Sequence, residues 1–366
     1  MIDINNNDSD IKVPREGVLE TIGSTPLIHL CRYLGTADVQ LYAKMEAFNP
    51  GGSAKDRPAR AMIEEALRAG TIDRNTTIIE STSGNMGIGL AQACCYYGLP
   101  LICVVDPFAQ EQNVAIMQAY GARIERVTRP LQGAFLKARL ARVMELLNEI
   151  PHSFWPNQYA NIKNPLSHEQ GTVQEIDEAL NGEIDYLFVA TSSTGTARGC
   201  RDYLQKRGRR TKVIAVDAEG SVLFGGLAGR RRIPGLGAGH VSVLAAGQKF
   251  DDVKRVNDLD CVVGCRRMVK YEAILTGGSA GGVLEAIRAM IPELRTKVCA
   301  AILHDSGTRY LDTIYSDQWV ESELGCSIEK LQARIEQPGQ TGRVAGQRGS
   351  RFTPHLREYV KEHATI

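Results

Sequence analysis

The sequence lacks the features that mark several large classes of protein. Its 43 lysines and arginines nearly cancel its 42 aspartates and glutamates, for a net charge of +1. It therefore has no charge excess with which to hold a nucleic acid or an anionic surface. No apolar run approaches the roughly 20 residues of a bilayer span, and the opening MIDINNNDSD has no apolar signal core. We expect no nucleic-acid or membrane partner, and a cytoplasmic location.

The cysteines and glycine-rich loops lack the spacings of two common kinds of site. The nine cysteines are odd in number, and no two of them have the CxxC spacing of a zinc or redox site. The GxxxxGK[ST] pattern of a nucleotide-binding P-loop is also absent. We expect no metal site, and we expect most cysteines to be buried as small apolar side chains.

Short β-branched runs alternate with helix-like stretches between residues 39 and 260. The runs are TTIIE, LPLICVVD, ARIERVT, IDYLFVA and KVIAVD, and this alternation predicts an α/β fold with a largely parallel sheet. The stretch RPARAMIEEALRAG and residues 86–98 are predicted helices, each closed by a glycine. At 366 residues, the chain is long enough for two domains.

A lysine stands where the first of these helices is predicted to begin. In NPGGSAKDRPA, a polar turn of two glycines and Ser53 leads to Lys55, just ahead of the amphipathic stretch. The positive end of a helix dipole disfavours a cation and so favours the neutral amine. That form attacks a carbonyl to make a Schiff base. Lys55 is a candidate nucleophile, and a solvated lysine beside a turn is the alternative.

Two further loops lie between an apolar strand and a helix. ESTSGNMGIGLA places hydroxyls, Gly84 and Asn85 after the strand IIE, and FVATSSTGTARG places residues 192–196 after another strand. Loops of this kind offer backbone N–H groups to anions. The first suits a substrate carboxylate, with a Ser/Thr helix cap as the alternative. The second suits a phosphate, but this pattern by itself is weak evidence for a phosphate site.

Six separated motifs between about residue 17 and residue 320 occur in one order: TIGSTPL, NPGGSAKDRPA, ESTSGNMGIGLA, SSTGT, GLGAG and GGSAGG. Their order and spacing resemble the cysteine synthase and cystathionine β-synthase family, enzymes of fold type II that use pyridoxal 5′-phosphate (PLP). The resemblance implies PLP as the cofactor, a homodimer, and a tryptophan synthase β-subunit-like α/β fold with two three-layer α/β/α domains.

The resemblance also implies a role for each residue that matches a family motif. Lys55 corresponds to the Schiff-base lysine, Asn85 to the partner of the PLP 3′-hydroxyl, and Ser279 to the residue that faces the pyridine nitrogen. A neutral serine there leaves the ring unprotonated, which favours β-elimination over transamination. The implied phosphate loop is Ser192, Ser193, Thr194, Gly195 and Thr196. The implied substrate-binding residues are Thr82, Ser83, Gly84, Met86, Gln158, Tyr159 and Gly235.

Several segments depart from the sulfhydrylases of this family. SSTGT stands where they have GTGGT, QYANIKN puts Tyr159 at a Phe position, and Met86 replaces a Thr. With DRPA, VVDP, VDAEGSVLFGG, RRIPGLGAG and YSDQWV, these departures resemble a siderophore-biosynthesis subgroup. That resemblance implies that O-phospho-L-serine loses phosphate to give an α-aminoacrylate, which the amine of L-glutamate attacks, with Lys55 as the base. The product would supply 2,3-diaminopropionate for siderophores or peptide antibiotics.

The chain is expected to divide into two domains and a tail. The smaller domain takes residues 12–26 and 49–158, and the larger takes residues 27–48 and 159–335. Residues 336–366, rich in Gly, Gln and Arg, are predicted to form a flexible tail.

Other functions stay open at this point. The closest alternative is a cysteine synthase that uses sulfide, followed by a cystathionine β-synthase and a non-catalytic PLP carrier. Arg198 and the run Arg230, Arg231 and Arg232 are candidates for binding phosphate or carboxylate groups. A solvated surface loop is the favoured interpretation of that run.

Overall fold

The computed structural model describes residues 14–337, whose strands and helices alternate along the chain. The strands are β1 Leu27–His29, β2 Gln40–Met45, β3 Thr77–Ser81, β4 Leu101–Val105, β5 Arg123–Arg126, β6 Ser153–Phe154, β7 Tyr186–Ala190, β8 Lys212–Ala218, β9 Asp252–Val256 and β10 Val298–Leu303. The α-helices are α1 Asp56–Arg68, α2 Asn85–Tyr97, α3 Glu111–Ala119, α4 Phe135–Glu149, α5 Lys163–Ser167, α6 Val173–Ala179, α7 Gly195–Lys206, α8 Asp258–Glu272, α9 Gly278–Ala289, α10 Asp317–Leu324 and α11 Ile328–Glu336. A π-helical turn at His168–Thr172 joins α5 to α6, and short 3-10 helices lie at Val18–Thr21, Glu46–Phe48, Val243–Ala245 and Gly307–Tyr310.

The strands form two sheets. The larger has six strands in the order β1-β2-β10-β7-β8-β9, and the smaller has four in the order β5-β4-β3-β6. All neighbouring strands are parallel except β1 and β2. The predicted α/β class with a largely parallel arrangement is confirmed.

Helices cover both faces of each sheet, which explains the continuous apolar runs in the central strands. In the larger sheet, side chains of α8 and α9 pack on one face and those of α6 and α7 on the other. In the smaller sheet, α1, α2 and α3 contribute to the core on one face and α4 to the core on the other. Each sheet is therefore the middle of three layers, as predicted.

The predicted local elements are present with small shifts at their ends. The five predicted runs correspond to β3, β4, β5, β7 and β8, and the two predicted helices correspond to α1 and α2. Gly98 caps α2 at φ 69°, in the left-handed region that glycine enters without a steric penalty. Strand β10, with the sequence VCAAIL, was not predicted because its alanines and cysteine carry little β-propensity.

The predicted domain boundaries at residues 26, 48, 158 and 335 stay a prediction. The smaller sheet uses strands between residues 77 and 154, and the larger uses the strands before and after that segment. From residue 338 onward, the predicted tail lies outside the described residues.

Two further expectations concern burial and the membrane. Seven of the nine cysteines are buried, and Cys31 and Cys95 are exposed, so the prediction of mostly buried cysteines is confirmed. Between residues 14 and 337, no helix combines the length and the apolar character needed to cross a membrane.

Candidate active site

Two adjoining cavities lie where the strands β3, β7 and β10 end. The first has a volume of about 440 Å³ and the second about 840 Å³, in both cases including solvent space at the open mouth. Lys55, Asn85 and Gly235 line both of them. We call the first the cofactor cavity and the second the substrate cleft. The carboxyl ends of parallel strands are the usual position for a ligand in such sheets.

The structure brings every site residue expected from the sequence to one of these two spaces. The cofactor cavity is lined by Lys55, Asn85, Ser192, Ser193, Thr194, Gly195, Thr196 and Ser279. The substrate cleft is lined by Thr82, Ser83, Gly84, Met86, Gln158, Tyr159 and Gly235. Residues that are scattered over more than 200 positions in the sequence thus form one continuous site.

Lys55 stands at the N-cap of α1, after a tight turn. Gly52 in that turn has φ 82°, and the Ser53 hydroxyl accepts a hydrogen bond from the Lys55 backbone N–H at 3.2 Å. Burial lowers the pKa of the Lys55 amine, while the negative charges of Asp305 and Glu46 oppose that shift. Because an ammonium has no lone pair, the lowered pKa increases the fraction of Lys55 able to act as a nucleophile or base.

The loop between β7 and α7 has the form of an anion-binding turn. Thr194 has φ 66°, and α7 begins at Gly195, so the first backbone N–H groups of α7 have no acceptor within the helix. A methyl group on Gly195 would overlap the side-chain amide of Asn164, so the loop needs glycine there. Below the loop, the Thr196 hydroxyl lies 3.2 Å from His168 Nε2. This buried contact fixes the start of α7.

Glu80, at the end of β3, holds Gln158 against the substrate cleft. Its carboxylate accepts hydrogen bonds from Trp155 Nε1 at 3.1 Å and from the Gln158 backbone N–H at 3.2 Å. Burial raises the pKa of Glu80 to about 7, and these donors oppose the shift. The Gln158 side-chain amide in turn donates to the Ser81 carbonyl at 3.3 Å. These hydrogen bonds therefore join the end of β3 to the segment around Gln158.

A network that the sequence did not predict surrounds Asn85. Its Nδ2 donates to Asp305 Oδ2 at 2.8 Å, and its Oδ1 accepts a hydrogen bond from Arg309. The Tyr310 hydroxyl donates to the same Asp305 oxygen at 2.5 Å. Burial raises the pKa of Asp305, and these donors oppose the shift. The signal in the sequence is the charged and hydroxylic run HDSGTRY directly after the apolar strand β10.

His304 precedes this network and lines the cofactor cavity. It is 8% exposed, and neither of its ring nitrogens has a hydrogen-bond partner. Burial and the nearby Lys55 charge lower the pKa of His304 to about 3. The imidazole is therefore neutral at physiological pH.

Arg139, in the second turn of α4, is a further functional candidate that sequence reasoning missed. It lines the substrate cleft, its Nε lies 3.2 Å from Asp106 Oδ2, and its Nη1 donates to Ser83 Oγ at 3.4 Å. No motif surrounds it, and only the packing of α4 against the smaller sheet brings it to the cleft. A guanidinium here offers charge-assisted hydrogen bonds to an anion bound near Ser83.

Three of the arginines proposed from the sequence have partners outside the site. Arg198 lies 3.5 Å from Asp202 on its own helix, and Arg230 and Arg232 both pair with Glu323. None of these three lines either cavity.

The cofactor cavity fits PLP by the chemistry of its donors. Lys55 supplies an amine for the aldehyde, the hydroxyls and N–H groups at the start of α7 suit a phosphate, and the buried Ser279 supplies a neutral hydroxyl for a ring nitrogen. The two unpartnered nitrogens of His304 add polar groups that a polar ligand can satisfy.

Comparisons with known proteins agree with this geometry. A family model described as pyridoxal-phosphate dependent enzyme matches residues 18–305. An N-(2-amino-2-carboxyethyl)-L-glutamate synthase from Ralstonia nicotianae is 41% identical over 347 residues, which cover 94% of this chain and 99% of the relative.

Solved structures give the same family resemblance. The O-acetylserine dependent cystathionine β-synthase of Helicobacter pylori matches with a TM-score of 0.78 and 29% identity, covering 83% of this chain and 100% of that one. Isoform 3 of the Entamoeba histolytica O-acetylserine sulfhydrylase matches with a TM-score of 0.77 and 32% identity, covering 91% of this chain and 99% of that one. The predicted fold and cofactor are confirmed, and the chain belongs to the pyridoxal-phosphate dependent enzyme family.

Proposed function

We propose that this enzyme makes N-(2-amino-2-carboxyethyl)-L-glutamate from O-phospho-L-serine and L-glutamate, with release of phosphate. A relative of nearly equal length with that product in its name supports the reaction. The structural observation that carries the proposal is Arg139, a cation beside Ser83 in a cleft that also contains Lys55. An acetate leaving group carries one charge, whereas a phosphate carries two and gains more from a guanidinium.

The proposed roles in cofactor binding follow the lining of the cofactor cavity. Residues 192–196 would hold the PLP phosphate, Ser279 would hydrogen-bond the pyridine nitrogen, and Asn85 would hydrogen-bond the 3′-hydroxyl. When bound, PLP withdraws electrons from the substrate α-carbon. The neutral hydroxyl of Ser279 gives the ring nitrogen no charged partner, which supports elimination at the β-carbon.

Lys55 and the substrate loop perform the remaining steps. Thr82, Ser83 and Gly84 bind the substrate carboxylate, with Gln158 beside them. Lys55, with its lowered pKa, takes the proton from the substrate α-carbon and later returns it. Arg139 binds the phosphate while the Cβ–O bond breaks, and the amine of L-glutamate then attacks Cβ. Tyr159 and Ser192, which depart from the sulfhydrylase pattern, line the same cleft.

The reaction is tested by supplying the two substrates separately. Purified enzyme with PLP is mixed with O-phospho-L-serine or O-acetyl-L-serine, and then with L-glutamate or sulfide. We expect phosphate release from O-phospho-L-serine, a change in cofactor absorbance that L-glutamate reverses, and a product with the mass of the amine-linked dicarboxylic amino acid. If only sulfide reverses the change and cysteine forms, the protein is a cysteine synthase. Cysteine synthesis is tested as the second candidate function because an O-acetylserine sulfhydrylase is among the similar structures.

A homodimer is also part of this proposal. A surface groove lined by Pro26, Ile28, Met45, Ala47, Phe48, Ala273, Ile274, Leu275 and Ser306 supports it. Phe48 is 65% exposed there, and exposed apolar patches of this kind commonly mark protein interfaces. Light scattering after size exclusion measures the mass, for which we expect about twice the 40.0 kDa of the chain.

The cytoplasmic location and the supply of 2,3-diaminopropionate for siderophores or peptide antibiotics stay predictions.

A further inference from the structure

The three arginines before the GLGAG loop differ in their ion-pair partners. Arg230 and Arg232 both pair with Glu323 on α10. Arg231, between them, forms no ion pair with any residue in the range 14–337. The expectation of a solvated surface loop therefore holds for Arg230 but not for Arg231 and Arg232, which are both half-buried.

Arg231 lies against the glycine-rich loop with few partners. Its Nη1 reaches the Leu236 carbonyl only at 3.5 Å, and its buried Nε has no acceptor. A methyl group on Gly239 would lie 3.4 Å from Arg231 Nη2, so the guanidinium packs directly on this loop. Burial lowers the pKa of Arg231, against the attraction of Asp217 and Asp258. A partly desolvated cation without a bonded anion is unfavourable, and a bound anion relieves that cost.

The surroundings of Arg231 connect it to the substrate cleft. Tyr159, which lines the cleft, packs edge-on against His240 with ring centroids 5.1 Å apart. Burial raises the pKa of Tyr159 and lowers that of His240, and the charges of Arg139 and Arg231 act on both side chains. Arg139 and Tyr159 both line the cleft, whereas Arg231 packs on Gly239, directly before the His240 ring that contacts Tyr159.

The anionic groups of the proposed substrates outnumber the cations that line the cleft. Lys55 and Arg139 are the cationic side chains among its described lining residues. In the proposed function, the loop after β3 binds the carboxylate of the first substrate and Arg139 binds its phosphate. The amine donor brings two more carboxylates, for which the lining offers no further cation.

We propose that Arg231 binds one carboxylate of the amine substrate, at a second anion subsite beside Tyr159 and the glycine-rich loop. The inference rests on the proposed function, because it assigns a residue to the second substrate of that reaction. A guanidinium matches a carboxylate with two parallel hydrogen bonds, and the unpartnered Nε is one of the donors available for them. A phosphate has the same chemistry, so the test must separate the second substrate from the first.

The test measures the two halves of the reaction in Arg231→Gln and Arg231→Lys. Phosphate release and the absorbance change on adding O-phospho-L-serine report the first half, and the KM for L-glutamate reports the second. We expect Arg231→Gln to raise the KM for L-glutamate at least about tenfold. Phosphate release should stay within about twofold of the wild type, which also shows that the variant is folded and loaded. Arg231→Lys should recover part of the loss, because lysine keeps the charge but not the paired donors.

Arg230→Gln is the matched control, since Arg230 pairs with Glu323 on the surface and should leave both halves unchanged. If Arg231→Gln instead slows phosphate release and leaves the KM for L-glutamate unchanged, Arg231 serves the phosphate and the inference is wrong. The inference is equally wrong if neither half changes. If the wild type uses sulfide but not L-glutamate, the proposed function fails together with this subsite. If the wild type uses L-glutamate and the variants keep its KM, the subsite alone fails.

Discussion

Asn85 Nδ2 donates a 2.8 Å hydrogen bond to Asp305 Oδ2, although the two residues are 220 positions apart. Asn85 is the first residue of α2, a helix that packs on the smaller sheet, and Asp305 follows β10 of the larger sheet. Arg309 donates to the other end of the same amide, at Asn85 Oδ1. The orientation of Asn85 in the cofactor cavity is therefore set by Asp305 and Arg309, which follow β10 of the larger sheet.

We expect Asp305→Asn to weaken PLP binding about tenfold or more, because Asn85 loses a charge-assisted acceptor and its amide is free to turn. Titration of the apoprotein with PLP, followed by absorbance, measures the dissociation constant. Asp312→Asn changes an exposed acid nearby and serves as the control. An unchanged dissociation constant in Asp305→Asn would show that Asn85 is held in place by Arg309 alone.

Lys55→Ala should abolish both turnover and the absorbance band of the lysine-bound cofactor, because no other lysine lines either cavity in the described chain. Absorbance spectra of the reconstituted variant and a phosphate-release assay measure the two effects. The exposed Lys137, changed to Ala, should keep both signals. A residual band in Lys55→Ala with normal turnover would assign the cofactor to a different amine.

The sequence predicted the parts of the candidate site that are local in the chain. Lys55, the loop after β3 and the loop after β7 each lie at the junction of a strand or turn with a helix, where short-range patterns are informative. Arg139 and Asp305 were missed. Arg139 reaches the cleft only because α4 packs on the smaller sheet, and Asp305 follows a strand whose small residues gave no strand signal.

The proposed role of Arg139 predicts a selective loss between two leaving groups. Arg139→Gln should slow phosphate release from O-phospho-L-serine about 10- to 100-fold, in line with the loss of a charge-assisted hydrogen bond. The rate with O-acetyl-L-serine should fall much less, because a monoanionic leaving group gains less from the cation. Rapid mixing with each substrate, followed by absorbance, measures both rates. Equal losses with the two substrates would assign Arg139 to the shared carboxylate or to the fold.

We expect Glu175 to make the free energy of unfolding depend on pH. Burial raises the pKa of Glu175, but its ion pairs outweigh burial and hold the pKa at about 2. The partners are Arg57 Nη1 at 2.7 Å and Lys44 Nζ at 2.6 Å. Because the folded pKa lies below the ordinary value of 4.5, this stabilisation is present above about pH 4.5 and is lost as the pH falls toward 2.

Glu175→Gln should therefore lower the free energy of unfolding by about 1–3 kcal/mol at pH 7, an amount reduced by the partial exposure of the side chain. The difference from the wild type should narrow as the pH falls below about 4.5. Urea unfolding at pH 7 and at about pH 3 measures it. Glu178→Gln, an exposed change on the same helix, should have little effect at either pH. A difference that does not vary with pH would mean that shape, and not charge, makes Glu175 necessary.

Gly195→Ala tests whether the start of α7 holds the cofactor phosphate. The added methyl group would overlap the side-chain amide of Asn164, whose Nδ2 donates to the Gln158 carbonyl at 2.7 Å. Displacing Asn164 shifts the phosphate loop on one side and the Gln158 segment on the other. We expect a loss of about tenfold or more in PLP affinity, measured by titration of the apoprotein. In Gly84→Ala, the new methyl group meets no atom within 4 Å, so that variant should keep its PLP affinity whatever its effect on substrate binding. Equal PLP affinity in both variants and the wild type would mean that the phosphate is bound elsewhere in the cavity.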